Sequence, residues 1–113
     1  MPPTLADRLI HILQAIDNIQ SFLADKTQAD FEADIFLRLA VERAFEIISE
    51  ASRRLPDEVK ERETQINWQG MAALGNRLRH AYHRVEATLL WDIAKRDLPP
   101  LKAFADRIVR EEQ

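Results

Sequence analysis

The apolar positions near the N-terminus recur with the spacing of a helix. They lie three or four residues apart, at Leu5, Leu9, Ile12, Ile16, Ile19 and Leu23. This spacing matches the 3.6-residue period and predicts an amphipathic helix of about five turns. Thr4 precedes the run and Asp7 follows three residues later, which is similar to the pattern of a capping box. The first helix is therefore expected to begin after Thr4.

A second apolar pattern is broader and covers more of the helix circumference. It starts near Thr27 or Asp30, runs towards Leu55 and ends before Pro56, because proline stops a helix. A helix that is apolar on so much of its surface is central in the fold or lies at an interface. We expect this second helix to be long.

Further helices are expected in the C-terminal half. Asn67 suits the N-cap of a third helix, Glu86 can start a fourth, and Pro99 with Pro100 breaks the chain before a short last helix. No stretch alternates apolar and polar residues as a strand would. The sequence therefore predicts an all-α fold, a four- to five-helix up-and-down bundle that forms one domain over residues 1–113.

The composition excludes several kinds of site and compartment. The 113 residues include no cysteine, so disulfides and thiolate metal sites are excluded, and no histidine and carboxylate cluster has metal-ligand spacing. The N-terminus lacks the basic and apolar regions of a signal peptide, and no apolar stretch is long enough to span a bilayer. We expect a cytoplasmic protein with no metal, no cofactor of its own and no membrane contact.

Positive charge is concentrated in one part of an acidic chain. The formal net charge is −3, yet residues 64–85 contain no Asp or Glu. Three arginines and two histidines lie in this stretch: Arg77, Arg79, His80, His83 and Arg84. A basic segment within an acidic protein is a candidate site for an anion.

The residues of this basic segment suit phosphodiester chemistry. On a helix, Arg77 and Asn76 precede His80 by three and four residues, so their side chains share a face, and Tyr82 follows two residues later. A histidine can move a proton to or from the oxygens of RNA near neutral pH, and an arginine can stabilise the charge that develops on the phosphate. Arg79, His83 and Arg84 are candidate RNA contacts. A histidine and a tyrosine at a helix end are, however, often purely structural.

Several strings around this segment resemble one family. Residues 46–51 read EIISEA, with Ser49 where the family usually has glycine. Ile66, Asn67 and Trp68 are followed by Met71, then by the motif at 76–82, and WDI at 91–93 precedes DLPPL at 97–101. In order and spacing, nearly the whole chain is similar to the HepT-like branch of the HEPN superfamily, the ribonuclease toxins of bacterial and archaeal toxin–antitoxin pairs.

The resemblance implies a function, a partner and an oligomeric state. It implies a helical dimer with a composite, metal-independent ribonuclease site at the dimer interface, His80 as the catalytic histidine and Asn76 beside it. It also implies a nucleotidyltransferase antitoxin of the MntA-like kind, which transfers AMP from ATP to the motif tyrosine, here Tyr82. ATP and magnesium would then belong to that partner. An AMP group on Tyr82 would place negative charge and bulk where the RNA phosphate must bind.

The chain departs from the family motif at its arginine. The family has arginine four to six residues before the histidine, usually at the position that Gly75 occupies here. Arg77 or Arg79 could supply the charge from a different direction, and we assign Arg77 as the stand-in beside His80. Loss of a cation that stabilises a transition state commonly costs ~10²–10³ in rate.

Two alternatives stay open, and Gly75 motivates the first. The chain could be a helical dimer that binds RNA or nucleotide through Arg77, Arg79 and Arg84 without cutting it. It could also be an interaction protein that only dimerises and holds a nucleotidyltransferase. Binding without product would support the first alternative, and activity in the absence of a partner would exclude the second.

Overall fold

The computed structural model describes residues 2–80 and 85–112. Within them the chain forms helices and no strand. The helices are α1 (Leu5–Leu23), α2 (Gln28–Ala33), α3 (Ile35–Arg53), α4 (Asp57–Lys60), α5 (Trp68–Arg79), α6 (Ala87–Arg96) and α7 (Leu98–Glu111). Five of these have ten residues or more, which agrees with the predicted four- to five-helix bundle, and the short α2 and α4 raise the number to seven in the described residues.

The first helix is capped and buried as its sequence predicts. The Thr4 backbone N–H donates to the Asp7 carboxylate at 2.9 Å, and the Asp7 N–H donates to the Thr4 hydroxyl at 3.1 Å. This reciprocal pair satisfies backbone donors that a helix start would otherwise leave open. The apolar stripe is the buried face, with Leu9, Ile12, Ala15, Ile16, Ile19 and Leu23 in the core.

The prediction of a long second helix is wrong at one point, because the chain breaks at Asp34. This residue has an extended conformation (φ −110°, ψ 100°), so it ends α2 and begins α3. Its carboxylate accepts the Leu37 N–H at 3.0 Å, which starts the new helix. Three apolar residues at the start of α3 are exposed: Ile35, Phe36 and Leu39.

Two side chains fix the start of α5. Asn67 accepts the Gly70 N–H at 3.0 Å, which confirms the predicted N-cap. The Trp68 indole N–H donates to the Lys60 carbonyl at 3.2 Å and to the Glu63 carbonyl at 3.1 Å. Its ring also meets Phe104 of α7 edge to face, with centroids 5.6 Å apart. The segment before α5 is therefore tied to the helix that carries the basic residues.

The C-terminal break lies slightly before its predicted place. Asp97 separates α6 from α7, and the two prolines belong to the first turn of α7. Proline is tolerated there because the first N–H groups of a helix have no intrahelical partner. The last helix is consequently longer than the sequence suggested.

Helix α3 is the central element of the bundle. It packs against α1 on one side and α5 on the other, and α7 packs against α1. The Lys102 ammonium near the start of α7 lies 3.0 Å from the Asp17 carboxylate in the C-terminal half of α1, so these two helices run in opposite directions. The buried apolar side chains of the described residues form one continuous cluster.

The helices of the described segments are too short or too polar to cross a bilayer.

Candidate functional site

His80 lies at the point where α5 ends. Its backbone is extended (φ −99°, ψ 92°), while its N–H still donates to the Asn76 carbonyl at 3.1 Å. The imidazole is exposed, as are the side chains of Asn76 and Arg77. In the described part of the chain no hydrogen bond joins the side chains of these three residues. The sequence placed His80 on the helix, and the structure places it one residue beyond.

Arg77 points towards α6. It lines a depression of about 200 Å³ together with Leu89 and Ile93 of α6 and with Arg96, whose guanidinium is 3.2 Å from the Asp97 carboxylate. Ligand pockets are usually about 300–1,000 Å³, so this depression is small for a nucleotide.

Arg79 points the other way, towards α3. Its guanidinium lies 3.7 Å from the Glu50 carboxylate, which also accepts a hydrogen bond from Arg54 at 2.8 Å. The Arg54 hydrogen bond, with the charges of Arg54, Arg53 and Arg79, holds the pKa of the Glu50 carboxyl below its ordinary value. The helix therefore sends its two arginines to opposite sides, about 160° apart by the 3.6-residue period.

Gly75 packs directly against Ser49 of α3. Both residues are buried, and a Cβ at position 75 would come well inside 3.0 Å of both the Ser49 hydroxyl and the Ser49 Cβ. Real Cβ atoms essentially never approach other atoms so closely. The close contact of α3 and α5 thus depends on the absence of a side chain at position 75, where the resemblance would predict an arginine.

The structure shows a buried arginine, hydrogen-bonded to the end of the basic segment, that the sequence analysis did not single out. Arg38 of α3 is 8% exposed, donates to Glu42 at 2.9 Å and donates to the Val85 carbonyl. Val85 is the last residue of the basic segment, so Arg38 holds the C-terminal end of that segment. The signal in the sequence was an arginine among apolar residues on a helix predicted to be buried.

Three of the predicted residues cannot be placed. Tyr82, His83 and Arg84 lie outside the described residues. Their roles as AMP acceptor and RNA contacts stay predictions. Within residues 2–80 and 85–112, no three His, Asp or Glu side chains gather closely enough to hold a metal ion.

Comparison with known proteins places the chain in a family. Residues 12–108 match the family described as "Ribonuclease HepT-like". That match includes all of α5, His80 and the contacts of α3 with α5. The chain belongs to the HepT-like ribonuclease family.

Relatives of this HepT-like chain carry related names. It is 37% identical over 102 residues to "Probable ribonuclease HepT" of Thermococcus cleftensis, covering 90% of this chain and 93% of that protein. It is 39% identical over 103 residues to "Gamma-glutamylcyclotransferase and putative RNase" of Methanocaldococcus jannaschii, covering 91% of this chain but only 46% of that protein. It is 30% identical over 105 residues to a "Putative RNase" of Caldanaerobacter subterraneus subsp. tengcongensis, covering 93% of this chain and 94% of that protein. No solved structure matches the chain.

Proposed function

We propose that the chain is a metal-independent RNA endonuclease, the toxin of a toxin–antitoxin pair, with His80 at its centre. The observation that carries the proposal is the exposed imidazole at the basic end of α5, in a segment that the ribonuclease family spans. An RNA phosphate can approach this end from solvent. Residues 64–85 contain no Asp or Glu, which favours the approach of a negatively charged strand.

His80 would transfer the proton in the cleavage step. It takes the proton from the 2′-hydroxyl as that oxygen attacks the phosphorus, or gives one to the departing 5′-oxygen. Either transfer leaves a 2′,3′-cyclic phosphate on one product and a hydroxyl on the other. Asn76, one turn earlier and exposed, would orient the imidazole or the strand through its amide.

Two arginines compete for the role of the missing motif cation. Arg77 was assigned from its spacing to His80, and it lies beside the depression towards α6. Arg79 shares the helix face of position 75, because four residues turn the helix by about 400°. Arg79 also contacts Glu50 at 3.7 Å, next to the Ser49 that blocks position 75. We therefore propose both as phosphate contacts and expect Arg79 to approach from the motif direction.

A second copy of the chain would complete the site. Three apolar side chains at the start of α3 are exposed: Ile35 by 51%, Phe36 by 81% and Leu39 by 53%. Exposed apolar patches of this kind commonly mark protein interfaces. Arg38 lies between them in the sequence, is buried, and donates to the Val85 carbonyl. Val85 is five residues from His80, a span of at most about 17 Å. A homodimer through this patch would bring two motifs near each other, and higher assembly is compatible with it.

The antitoxin in this proposal is a nucleotidyltransferase of the MntA-like kind. It would transfer AMP from ATP to the Tyr82 hydroxyl, which forms a phosphodiester on Tyr82 and releases pyrophosphate. The added phosphate would be two residues from His80, so it would repel the RNA backbone and occupy its place. Mg²⁺ and ATP would be held by that partner.

Cleavage of RNA by the purified protein in EDTA tests the proposal. The parent protein and His80→Ala are incubated with a labelled single-stranded RNA, and the products are analysed for a 2′,3′-cyclic phosphate. We expect cleavage by the parent and none by the variant. Equal cleavage by both would exclude His80, and cleavage only with added Mg²⁺ would exclude the metal-independent reaction.

A second candidate function is RNA binding without cleavage. The observation that favours it is the closed contact of Gly75 with Ser49, which leaves no space for the motif arginine. Salt-sensitive binding of RNA by both proteins, with no product from either, would support it.

A further inference from the structure

The basic region of this protein extends beyond the motif helix onto two other helices. Arg79 at the end of α5, with Glu50, Arg53 and Arg54 of α3, surrounds one depression. A second depression next to it is lined on α3 by Arg43, Glu46, Glu50 and Arg54, and on α1 by Arg8 and His11. The two depressions share Glu50 and Arg54, so they form one continuous surface. We call this surface the basic track.

The charge of the basic track is opposite to that of the chain. It contains five arginines and two glutamates, an excess of three positive charges on a protein whose formal net charge is −3. Asp7, which is close enough to Arg8 and His11 for its charge to interact with theirs, reduces the excess by one. A local positive potential on an acidic protein attracts a polyanion to that place and not to the rest of the surface.

Glu50 cancels one positive charge of the track and also fixes the positions of two of its arginines. Its two oxygens face two different arginines, Arg54 at 2.8 Å and Arg79 at 3.7 Å. One carboxylate therefore holds a guanidinium from α3 beside one from α5, and both remain about half exposed, at 60% and 46%. Exposed guanidiniums in a fixed pair are suited to phosphate oxygens, which they can bind in a bidentate way.

The track begins at the candidate catalytic residue. Arg79 directly precedes His80, and the surface then crosses α3 and reaches the first turns of α1. Helices that pack directly lie about 8–10 Å apart, so the path from α5 over α3 to α1 is on the order of 20 Å wide. A path of that length can hold several nucleotides of an extended strand, and a single phosphate would cover only a small part of it.

We propose that single-stranded RNA bound at His80 continues along the basic track, with its phosphates contacted by Arg79, Arg53, Arg54 and Arg8. The inference rests on the proposed function for the nature of the ligand. It adds that the substrate is a strand of several nucleotides and that affinity comes from α1 and α3 as well as from the motif. Sequence reasoning could not find the track, because its residues are separated by up to 71 positions and meet only in the folded bundle.

RNA binding by variants of the track tests the inference. All proteins carry His80→Ala, so that no RNA is consumed, and all measurements are made in EDTA. Arg8→Gln and Arg53→Gln each remove one positive charge from the track, while Glu46→Gln removes a negative one. The control is Lys26→Gln, because Lys26 is exposed beyond the other end of α1, beside Asp30 and Asp34. The probes are single-stranded RNAs of about 4 and about 16 nucleotides, a range typical of such grooves.

The variants are expected to change RNA affinity in different directions, and the effect of Arg8→Gln is expected to depend on RNA length. On the longer RNA, each arginine variant binds roughly three- to tenfold more weakly, and the slope of log K against log salt falls by about 0.7 for each phosphate that the variant no longer neutralises. Glu46→Gln binds more tightly, and Lys26→Gln binds like the reference protein. On the shorter RNA the weakening in the Arg8→Gln variant disappears, because a strand of that length does not reach α1.

Three outcomes would overturn the inference. Equal affinity of all variants for the longer RNA would show that the surface does not contact RNA, as a docking site for an acidic protein would behave. Equal weakening in Lys26→Gln and Arg8→Gln would indicate a general charge effect. Failure to bind either RNA at low salt would show that single-stranded RNA is not a ligand of this surface. RNA cleavage by the protein that keeps His80 is measured separately. If it cleaves RNA but binding shows no dependence on RNA length, only the basic track is contradicted. If binding depends on RNA length but no RNA is cleaved, only the nuclease proposal is contradicted.

Discussion

Gly75 and Ser49 share a space that holds one side chain. The Ser49 Cα is only 3.8 Å from where a Cβ at position 75 would lie, and the Ser49 Cβ and hydroxyl are nearer still. The Ser49 hydroxyl is buried and has no hydrogen-bond partner in the described residues. The serine is thus held by packing against the glycine and not by a polar contact, so the two positions are expected to tolerate change only together.

A double-mutant cycle tests this coupling. Gly75→Arg alone should lower the free energy of unfolding by about 1–3 kcal/mol, the usual cost of overpacking. Ser49→Gly combined with Gly75→Arg should recover most of that stability, which is the non-additivity expected of residues in contact. Ser49→Ala with Gly75→Arg is the matched control, because alanine removes the hydroxyl but keeps the Cβ that clashes. Chemical denaturation of the parent, the single variants and the double variants provides the measurement, and additive costs would contradict the coupling.

The same double variant tests the catalytic role of the motif position. If an arginine there stabilises the transition state, Ser49→Gly with Gly75→Arg should cleave RNA ~10²–10³ faster than the parent. Initial rates in EDTA on one RNA give the comparison. A well-folded double variant with unchanged rate would show that the parent already has an adequate cation.

Substitution of Arg77 and Arg79 identifies that cation. We expect Arg79→Gln to lower the cleavage rate more than Arg77→Gln, because Arg79 shares the helix face of position 75 and is held by Glu50. A reduction of ~10²–10³ in kcat is the scale for removal of the transition-state contact, whereas removal of a binding contact raises KM. The larger kcat effect in Arg77→Gln would instead support the assignment made from the spacing to His80.

Arg38 provides a test of how the end of the basic segment is held. Its guanidinium is buried and donates to the Val85 carbonyl and to Glu42. Arg38→Gln leaves Glu42 and the carbonyl without a charged donor, which should cost about 1.5–3 kcal/mol and lower Tm by roughly 6–12 °C. Arg54→Gln, which changes an exposed arginine at the C-terminal end of α3 with a similar carboxylate contact, should shift Tm by much less. Similar shifts in both variants would refute the anchoring role.

Phe36 tests the proposed self-association. Phe36→Asp places a charge in the exposed patch without touching the core, since the side chain is 81% exposed. We expect a parent dimer by analytical ultracentrifugation and a monomer for the variant, with unchanged helix content by circular dichroism. A dimer that persists in Phe36→Asp would place the interface elsewhere on the molecule.

The capping carboxylates predict a loss of stability in acid. The pKa of Asp7 is lowered from its ordinary 3.8, first by the hydrogen bond from the Thr4 backbone N–H and then by the hydrogen bond with the Thr4 side chain. Thr27 lowers the pKa of Asp30 in the same way. A carboxyl with a lowered pKa in the folded state stabilises the protein above its unfolded pKa, and this stability is lost as the pH falls through the folded pKa. Unfolding free energies should therefore fall below about pH 4. Asp7→Asn and Asp30→Asn should flatten this decline and differ least from the parent in acid.

The sequence predicted the parts of the fold that depend on local signals. The Thr4 capping box, the apolar stripe of α1 and the Asn67 cap each involve residues within a helix turn or a regular period, and each is confirmed. The break at Asp34 was missed because the residues on both sides of it follow a helical pattern. Only the extended backbone of Asp34, which ends α2 and caps α3, reveals it. The caps and the apolar stripe could be predicted from the sequence, but the interruption of the helix could not.

The candidate site shows the same division. Asn76, Arg77, Arg79 and His80 were identified from one short segment, although their side chains are not joined in the structure. Arg38, Glu50 and Ser49 contribute from α3, and their relation to the motif appears only when α3 and α5 pack together. No spacing within a sequence predicts that Arg38 meets residue 85 or that Ser49 fills the space beside Gly75.

The contact of Arg38 with Val85 also bears on how the chain emerges from the ribosome. The two residues are 47 positions apart, so at about 5–20 residues per second the carbonyl is made roughly 2–9 s after the arginine. During that interval α1 and α3 can pair, but the guanidinium has only Glu42 to contact within its own helix. Its hydrogen bond to the Val85 carbonyl must wait until the chain has been made as far as that residue. The nascent N-terminal half is therefore expected to stay incompletely packed until the motif itself has been synthesised, which ties the maturation of the core to that of the site.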